Sequence, residues 1–285
     1  WRDVPALRPL LSGEALPLSF ERRGSQYSSE VYSVNDVSGV GQVRITLDAN
    51  DFVPMLPLFP ASGQWFLYSN AGDEVNTRLT RAFDLRGVTT AALEYKVWYD
   101  LESYWDYAYV SISADGGITW DLLEGAHTTS ENPNARSYGA GYTGNSVDWK
   151  NERIVLDAYA GQEILLRFEM VTDDAVSHPG MALDDIRIEA IGYFSDFEAD
   201  ADSWQMEGWL RADNKLPQRA WVQAIQQRSD GVAVTRWLIE PDGGARNEWL
   251  LDLYPDTQQL TVVITPFAPV TTLPMRYTLR IEAGA

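Results

Sequence analysis

The sequence places two aspartates on strand faces that are otherwise apolar. Asp106 is in phase with Val110 in the alternating run WDYAYVSIS, and Asp184 is in phase with Ile186 in ALDDIRI. Because an unpaired carboxylate on an apolar face is costly, we expect each of them to have partners. Two inward carboxylates close together would repel each other unless a proton or a cation lay between them. A hard cation with oxygen ligands suits so acidic a chain, so the pattern predicts structural Ca²⁺.

The strand pattern makes the inward Asp184 and Asp106 the candidate calcium ligands, and Asp73 in NAGDEVNT and Asp185 belong to the same acidic constellation. The alternative is that each aspartate separately accepts hydrogen bonds from backbone N–H groups at the end of a strand. None of the acidic stretches has the spacing of an EF-hand loop. Paired carboxylates also suit a glycoside hydrolase, but these acids recur beside Gly and Asn turns rather than as one separated pair.

The sequence signatures of a hydrolase are absent from the chain. His127 and His178 are its only histidines, and no H-E-x-x-H, G-x-S-x-G or Gly-rich phosphate loop occurs. The sequence therefore predicts that this chain is not itself an enzyme. We expect His178, which precedes Pro179 and Gly180, to face solvent in a loop.

Three aromatic residues, Trp105, Tyr107 and Tyr109, alternate with Asp106 and so lie on the other face of the same predicted strand. A flat aromatic face with polar rims suits stacking on sugar rings. The alternative interpretation is that these rings form a second packed face, within the sandwich or against residues 1–60. The first interpretation predicts a carbohydrate-binding module, and the second predicts a structural role.

The run SADGGITW fits the S-x-D-x-G-x-T-W pattern of an Asp box. In such a hairpin the aspartate accepts hydrogen bonds from the turn, the glycines permit positive φ, and the tryptophan covers the hairpin. The motif indicates a local fold feature rather than a substrate site. Its members are Ser113, Asp115, Gly117, Thr119 and Trp120.

Short strands separated by turn residues recur between Gln64 and Ile191. They are QWFLYS, RLTRAFDL, TAALEYKVWY, YAYVSISA, ITWDLL, ERIVLD, EILLRFEMV and ALDDIRIEA, with no amphipathic helix among them. This pattern predicts an all-β fold: an antiparallel jelly roll or β-sandwich, followed by a second, smaller β-sandwich. The long break at 125–150 is rich in Thr, Ser, Asn and Gly, and a loop of that length is more often functional or metal-ordered than idle.

We expect three segments along the chain. Residues 1–60 are predicted to be an N-terminal arm and a partial β unit that ends in the Pro-rich linker DFVPMLPLFPASG. Residues 61–192 would form the jelly-roll domain, and residues 193–285 the smaller β-sandwich. The first segment either packs on the next domain or completes the sheet of a neighbouring copy, which would give a homo-oligomer or filament.

Composition narrows the classes of partner. The formal net charge of −19 argues against nucleic acid and anionic lipid, since both require a basic face. No apolar run reaches the roughly 20 residues that span a bilayer, so membrane insertion is not expected. The absence of cysteine removes disulfides and thiolate chemistry. A chain that begins with Trp1 favours a mature or excised piece of a longer protein.

Several runs resemble, in order, a known pair of domains. RLTRAFDL, WYDLESYWDYAYVSISADGGITW, NPNARSYGAGYTG and LDAYAGQEILLRFEMVTDDAVSHPGMALDDI resemble the MAM-like β-sandwich domain of immune inhibitor A-type secreted bacterial metallopeptidases. GYFSDFEADADSWQMEGW, KLPQRAWVQAI and PFAPVTTLPMRYTLRI resemble the VEG domain that follows it there. The resemblance covers roughly residues 62–285, and residues 1–60 match less clearly.

The resemblance implies a bacterial extracellular or cell-surface location and an auxiliary role beside a zinc protease domain. It also implies a jelly roll that holds calcium, with Asp184 as a ligand and Asp73, Asp106 and Asp185 as further ligands. Proteolysis does not carry over, because the zinc-binding helix of the peptidase is absent from this chain.

Three functions follow as hypotheses. The first is a non-catalytic, calcium-stabilised module that binds a protein or a cell surface. The second is a carbohydrate-binding module that uses the exposed aromatics to bind a glycan. The third is a structural subunit of an extracellular assembly, joined through exchange of the N-terminal arm.

Overall fold

The computed structural model describes residues 11–13, 15–240 and 246–284. The arm predicted at the N-terminus lies mostly outside these residues. Within them the regular structure consists of β-strands and two single-turn 3₁₀ helices, Asp157–Tyr159 and Glu189–Ile191. The all-β prediction is confirmed. None of the helices in this part of the chain has the length and apolar character to cross a membrane.

The strands are numbered along the chain. Those before residue 58 are β1 Leu11–Gly13, β2 Leu18–Gly24, β3 Glu30–Val34, β4 Gln42–Ala49 and β5 Phe52–Pro54. The middle set is β6 Phe66–Tyr68, β7 Asn76–Asp84, β8 Ala92–Asp100, β9 Tyr107–Ser113, β10 Asp121–Leu122, β11 Lys150–Val155, β12 Glu163–Val171, β13 Gly180–Ile188, β14 Tyr193–Ser195, β15 Gln205–Glu207 and β16 Leu210–Ala212. The last set is β17 Lys215–Pro217, β18 Ala220–Arg228, β19 Gly231–Ile239, β20 Arg246–Asp252, β21 Gln259–Pro266 and β22 Met275–Ala283.

The chain forms two compact units whose bounds differ from the three segments expected from sequence. One unit, the split unit, combines Trp1–Pro57 with Lys215–Ala285, and the other, the inserted unit, is the continuous stretch Leu58–Asn214. The early strands are therefore part of the same sandwich as the late strands, and the expected boundary at 192 lies inside the inserted unit. Alternation along a strand shows which face is buried, but it does not show which distant strand is its partner.

The split unit is a sandwich of two sheets. One sheet has the order β1-β3-β21-β18-β19, and the other has the order β2-β22-β4-β20. All neighbouring strands in these two sheets are antiparallel except β1 and β3, which are parallel. The inward faces of both sheets form one core that includes Tyr32, Ile45, Leu47, Val262 and Leu279, all fully buried. Strands β2, β3 and β4 thus pair with late strands of the same chain. A homo-oligomer or filament stays a prediction.

The inserted unit is a second, larger antiparallel sandwich. Its sheets have the orders β10-β9-β12-β7-β15 and β11-β8-β13-β6-β16, and β14 pairs with β13. The strands alternate as the sequence predicts: the core between the sheets includes Leu93, Val110, Ile112, Leu166 and Phe168, all fully buried. This sandwich carries all of the site residues predicted from sequence.

The chain leaves and re-enters the split unit through two adjacent strands. Strand β5 pairs with β17 in antiparallel register, so that Val53 lies opposite Leu216. The 157 residues of Leu58–Asn214 therefore depart from and return to neighbouring positions. In topology the inserted unit occupies the place of a hairpin connection.

Candidate functional site

Strand β9 is buried on both of its faces. Its inward residues, Ala108, Val110 and Ile112, pack into the sandwich core as the sequence predicts. Its outward residues Tyr107 and Tyr109 are only 1% and 2% exposed. The reason is the covering loop, residues 123–149, which lies across this outward face.

Backbone and side-chain contacts fix the covering loop to β9. Ala108 and Tyr142 exchange two backbone hydrogen bonds of 2.9 and 2.7 Å. The Tyr107 hydroxyl donates to the carbonyl of Glu131 at 2.9 Å, and the Tyr109 hydroxyl accepts from the Tyr138 N–H at 3.0 Å. The loop is thus a structured layer with its own hydrogen bonds to the sheet.

The close approach of this loop requires a glycine. A Cβ on Gly141 would lie 2.7 Å from the Tyr109 ring and 3.1 Å from the carbonyl oxygen of Ala108, both within van der Waals radii. Only a residue without a side chain lets the loop backbone come this near to the strand.

One group of side chains remains accessible beside the covering loop. Tyr138 is 72% exposed and stacks on Tyr109 with ring centroids 5.5 Å apart. Trp105 is 38% exposed, and the Arg136 guanidinium lies 5.6 Å from its ring centroid. We call Trp105, Arg136 and Tyr138 the aromatic patch. Of the three aromatics predicted from sequence, Trp105 alone is accessible, because Tyr107 and Tyr109 form the buried support beneath Tyr138.

Asp184 anchors a backbone segment. Its side chain is fully buried, and one carboxylate oxygen accepts hydrogen bonds from the N–H groups of Ala61 at 2.9 Å and Ser62 at 3.1 Å. The other oxygen accepts from the N–H of Asp185 at 2.8 Å. Burial is the largest effect on this group and raises the pKa of Asp184 to about 7, against the opposing effect of the N–H donors.

A β-bulge at the same point orients Asp185 away from the core. The register between β13 and β8 shifts between Asp184 and Arg187, and Asp185 has a φ of 50°. Its carboxylate accepts a hydrogen bond from the Ser62 hydroxyl at 2.6 Å and forms an ion pair with Lys96 at 3.0 Å. The bulge therefore places two successive aspartates on different partners.

Asp106 lies at the entrance to β9 and binds a different backbone segment. Its carboxylate is 1% exposed and accepts a hydrogen bond from the Asp173 N–H at 2.9 Å. Burial raises the pKa of Asp106, and the charges of Asp173 and Glu102 act in the same direction. Asp73, the remaining predicted ligand, is exposed.

The structure thus gives Asp106 and Asp184 separate partners. Three N–H donors bind the Asp184 carboxylate, which matches the backbone-anchoring alternative. Within the ranges that the structure describes, no group of three or more acidic or histidine side chains is arranged to hold a metal ion. Calcium with Asp184, Asp106, Asp73 and Asp185 as ligands stays a prediction.

The Asp box has the hydrogen bonds that its motif predicts. Asp115 accepts from the Thr119 hydroxyl at 2.6 Å and from the Ile118 and Thr119 N–H groups at 2.9 and 3.0 Å. These hydrogen bonds hold the pKa of Asp115 well below its usual range. The hydrogen bond from the Thr119 hydroxyl has the largest effect. The Gly117 N–H donates to Ser113 Oγ at 2.8 Å, and Trp120 Nε1 donates to the Gly117 carbonyl at 3.1 Å.

A buried acid that the sequence reasoning missed anchors one end of the covering loop. Glu152 in β11 is 2% exposed and accepts from the N–H groups of Ala126 at 2.8 Å and His127 at 2.9 Å. The His127 ring lies 2.7 Å from the same carboxylate. Glu152 is in phase with Ile154 in ERIVLD, so the argument applied to Asp106 and Asp184 could have found it.

His178 is also paired with an acid. Its Nδ1 lies 2.8 Å from a carboxylate oxygen of Asp100, at the end of β8. The expectation of a residue that simply faces solvent is therefore incomplete, because the ring is partly covered and bound. Each of the two histidines binds a carboxylate of the sandwich.

Comparison with known proteins identifies the domain. A family model described as the MAM domain of immune inhibitor A-like proteins matches residues 32–214, which is more than half of the chain. The match includes all of the inserted unit from Leu58 to Asn214. For the later residues, the VEG resemblance stays a prediction.

Three curated relatives are similar over part of this chain. The pre-pro-metalloprotease PrtV of Vibrio cholerae is 29% identical over 162 residues, which are 57% of this chain and 17% of PrtV. Immune inhibitor A of Bacillus thuringiensis subsp. alesti is 28% identical over 182 residues, 62% of this chain and 25% of that protein. Bacillopeptidase F of Bacillus subtilis is 30% identical over 95 residues, 33% of this chain and 5% of that protein.

The chain spans at most a quarter of the length of these relatives, and it matches the MAM region of the family model. The jelly-roll sandwich and the order of the quoted runs agree with that match. The chain belongs to the immune inhibitor A-like MAM domain family.

Proposed function

We propose that this chain is a non-catalytic accessory module of an extracellular, immune inhibitor A-like bacterial protein, and that it binds a protein partner through the aromatic patch. The observation that carries the proposal is the exposure of Tyr138, on the covering loop whose backbone is hydrogen-bonded to β9, and of Trp105, in the turn that precedes β9. Exposed aromatic rings on a rigid support bind with little loss of conformational freedom.

The composition of the patch favours a protein partner. Trp, Tyr and Arg are the residues that contribute most to binding energy at protein interfaces. Arg136 lies over the Trp105 ring, so a cationic group and an apolar ring are presented together. A partner segment with an acidic residue next to an apolar one would complement both.

The accessory role rests on the family match and on the sequence. The match is to the MAM domain, and two of the relatives are named as a metalloprotease and as immune inhibitor A. The chain carries no zinc-protease motif. Incubation of the purified chain with casein and Zn²⁺ is expected to yield no cleavage, and cleavage that a chelator abolishes would contradict the non-catalytic assignment.

A peptide-display library tests the binding function. Wild-type chain is expected to enrich peptides that combine acidic and apolar residues. Binding of these peptides should weaken at least tenfold in the double variant Trp105→Ala/Tyr138→Ala, because loss of a central aromatic costs about 2 kcal/mol or more. Affinities are measured by biolayer interferometry on purified protein.

Tyr27→Ala is the matched control, since Tyr27 is also an exposed aromatic but belongs to the split unit. It should bind the enriched peptides like wild type. If no peptide is enriched, or if the double variant binds as tightly as the control, the aromatic patch is not the binding surface.

A carbohydrate ligand is the second candidate, and it rests on Trp105. Its partly exposed ring could stack on a sugar, but Arg136 covers one face and would have to move. A glycan array decides between the candidates. Glycan binding that Arg136→Ala strengthens and Trp105→Ala removes would favour the carbohydrate-binding module over the protein-binding one.

A further inference from the structure

Two arginines of the split unit lie directly opposite each other on neighbouring strands. In the antiparallel pair β2–β22, Arg23 is in register with Arg276, and both side chains are exposed on the same face. Like charges in directly opposed positions of a sheet repel each other and destabilise it. Such a pair is unexpected in a chain with 41 acidic and only 22 basic residues, because acidic partners are abundant.

A third arginine adjoins this pair. Arg22 precedes Arg23 in β2, so its side chain points to the opposite face of the sheet, where it lies opposite the buried Tyr277. Its Nε atom is buried and has no hydrogen-bond partner among the described residues. A buried guanidinium N–H without an acceptor costs more than an ordinary polar group, because the group is charged. The three arginines line one open groove of about 840 Å³.

Three acids also line the groove, but none of them forms an ion pair with these arginines. One oxygen of Glu30 accepts hydrogen bonds from the hydroxyls of both Tyr32 and Tyr277. Glu21 and Asp48 also line the groove. Both are in register with Thr278, which is two positions after Arg276 in β22. In the described part of the chain, no carboxylate oxygen lies within 4.0 Å of a nitrogen of these three guanidinium groups.

We propose that this groove, the arginine groove (Arg22, Arg23 and Arg276), binds an oxyanion, namely a carboxylate, sulfate or phosphate group. Guanidinium groups present paired N–H donors that match the oxygens of such anions. An anion between Arg23 and Arg276 would remove their repulsion. The site lies in the split unit and is independent of the aromatic patch.

Thermal unfolding with three probes tests the proposal. The full chain is melted in sodium chloride and in sodium phosphate, sodium sulfate or sodium acetate at equal ionic strength. We expect at least one of the three oxyanions to raise the melting temperature of wild type by about 3 °C or more, because an anion bound only to the folded state stabilises it. The anion that acts identifies the chemical source.

Variants separate specific binding from general salt effects. Arg23→Gln and Arg276→Gln should lose at least two thirds of the shift. In chloride alone, Arg276→Gln should melt at or above the wild-type temperature, because the like-charge pair is gone. Arg280→Gln is the matched control: it lies on the same strand and face but outside the groove, and it should keep the full shift.

Two outcomes would overturn the proposal. One is that none of the three oxyanions shifts the melting temperature of wild type relative to chloride. The other is an equal shift in wild type, Arg23→Gln, Arg276→Gln and Arg280→Gln, which would show exclusion of the salt from the whole surface rather than a site. Neither outcome affects the aromatic patch, which is tested by its own variants.

Discussion

At the scale of single residues, the buried acids of the inserted unit act as backbone anchors. Asp184 accepts three N–H groups, and Glu152 accepts two N–H groups and contacts the His127 ring. In each case the carboxylate holds a loop segment onto a strand. A buried carboxylate with several N–H donors can fix a chain segment that has few apolar contacts.

The pH dependence of stability should reveal Asp184. Its pKa is raised to about 7 in the folded protein, whereas the unfolded chain releases this proton near 4. The folded state therefore holds the extra proton between these values, and stability from this group is full below about pH 4 and falls as pH rises to about 7. Urea unfolding at pH 4.5, 6 and 8 should show wild type losing stability relative to Asp184→Asn. A constant difference between the two proteins across this range would contradict the raised pKa.

Calcium stabilisation remains a separate prediction for the end of the sandwich that holds Asp106. If Ca²⁺ binds there, EGTA should lower the melting temperature of wild type and have no effect on Asp106→Asn. Calorimetry with and without chelator measures the shift, and elemental analysis measures bound metal. An unchanged melting temperature together with the absence of metal would reject calcium.

At the scale of elements, the covering loop explains why the aromatic face of β9 is buried. Alternation in the sequence predicts correctly which residues of β9 face the core, and this is confirmed by Val110 and Ile112. Alternation could not predict that Tyr107 and Tyr109 are buried, because a loop without periodicity covers them. The hydrogen bonds that fix such a loop depend on its conformation, which Thr, Ser, Asn and Gly leave open.

Glu152 should control the stability of the covering loop. Glu152→Ala leaves the N–H groups of Ala126 and His127 without their acceptor, so we expect the free energy of unfolding to fall by about 3 kcal/mol. Faster cleavage within the covering loop by a low concentration of trypsin or chymotrypsin should accompany this loss. Both are measured on the purified chain by urea unfolding and by mass spectrometry of the fragments.

Glu124→Ala is the control for this experiment, because Glu124 is an exposed acid at the start of the same loop. Its effect should stay within about 0.5 kcal/mol. Equal stability of the two variants would show that Glu152 is not an anchor. Glu152→Gln, which keeps one acceptor oxygen, should fall between them.

At the scale of the whole molecule, the sequence did not predict that the first and last parts of the chain form one unit. The family resemblance and the strand pattern both indicate β-sandwiches, and the MAM match confirms the family. The pairing of β2 with β22 joins residues more than 250 positions apart, as in Leu18 opposite Ile281. No local signal encodes such a pairing, because it depends on which faces remain free once the other strands have assembled.

The division into units predicts which fragments fold. Residues 58–214 contain both sheets of the inserted unit, so this fragment should unfold in one cooperative transition. Residues 193–285 lack β2, β3 and β4, which supply much of the split unit's core, and should show no cooperative transition. Circular dichroism during urea titration compares them. Cooperative unfolding of the second fragment would contradict the split unit.

The pairing of β5 with β17 has a consequence for how this protein can be rearranged. Because the two crossing strands are neighbours, a short turn between Pro54 and Lys215 could close the split unit as an ordinary hairpin. The two ends of the inserted unit are attached at neighbouring positions, so this unit could also be inserted into the turn of another sheet. In a host protein the inserted stretch would act as one lengthened loop. The entropic cost of closing such a loop grows only with the logarithm of its length.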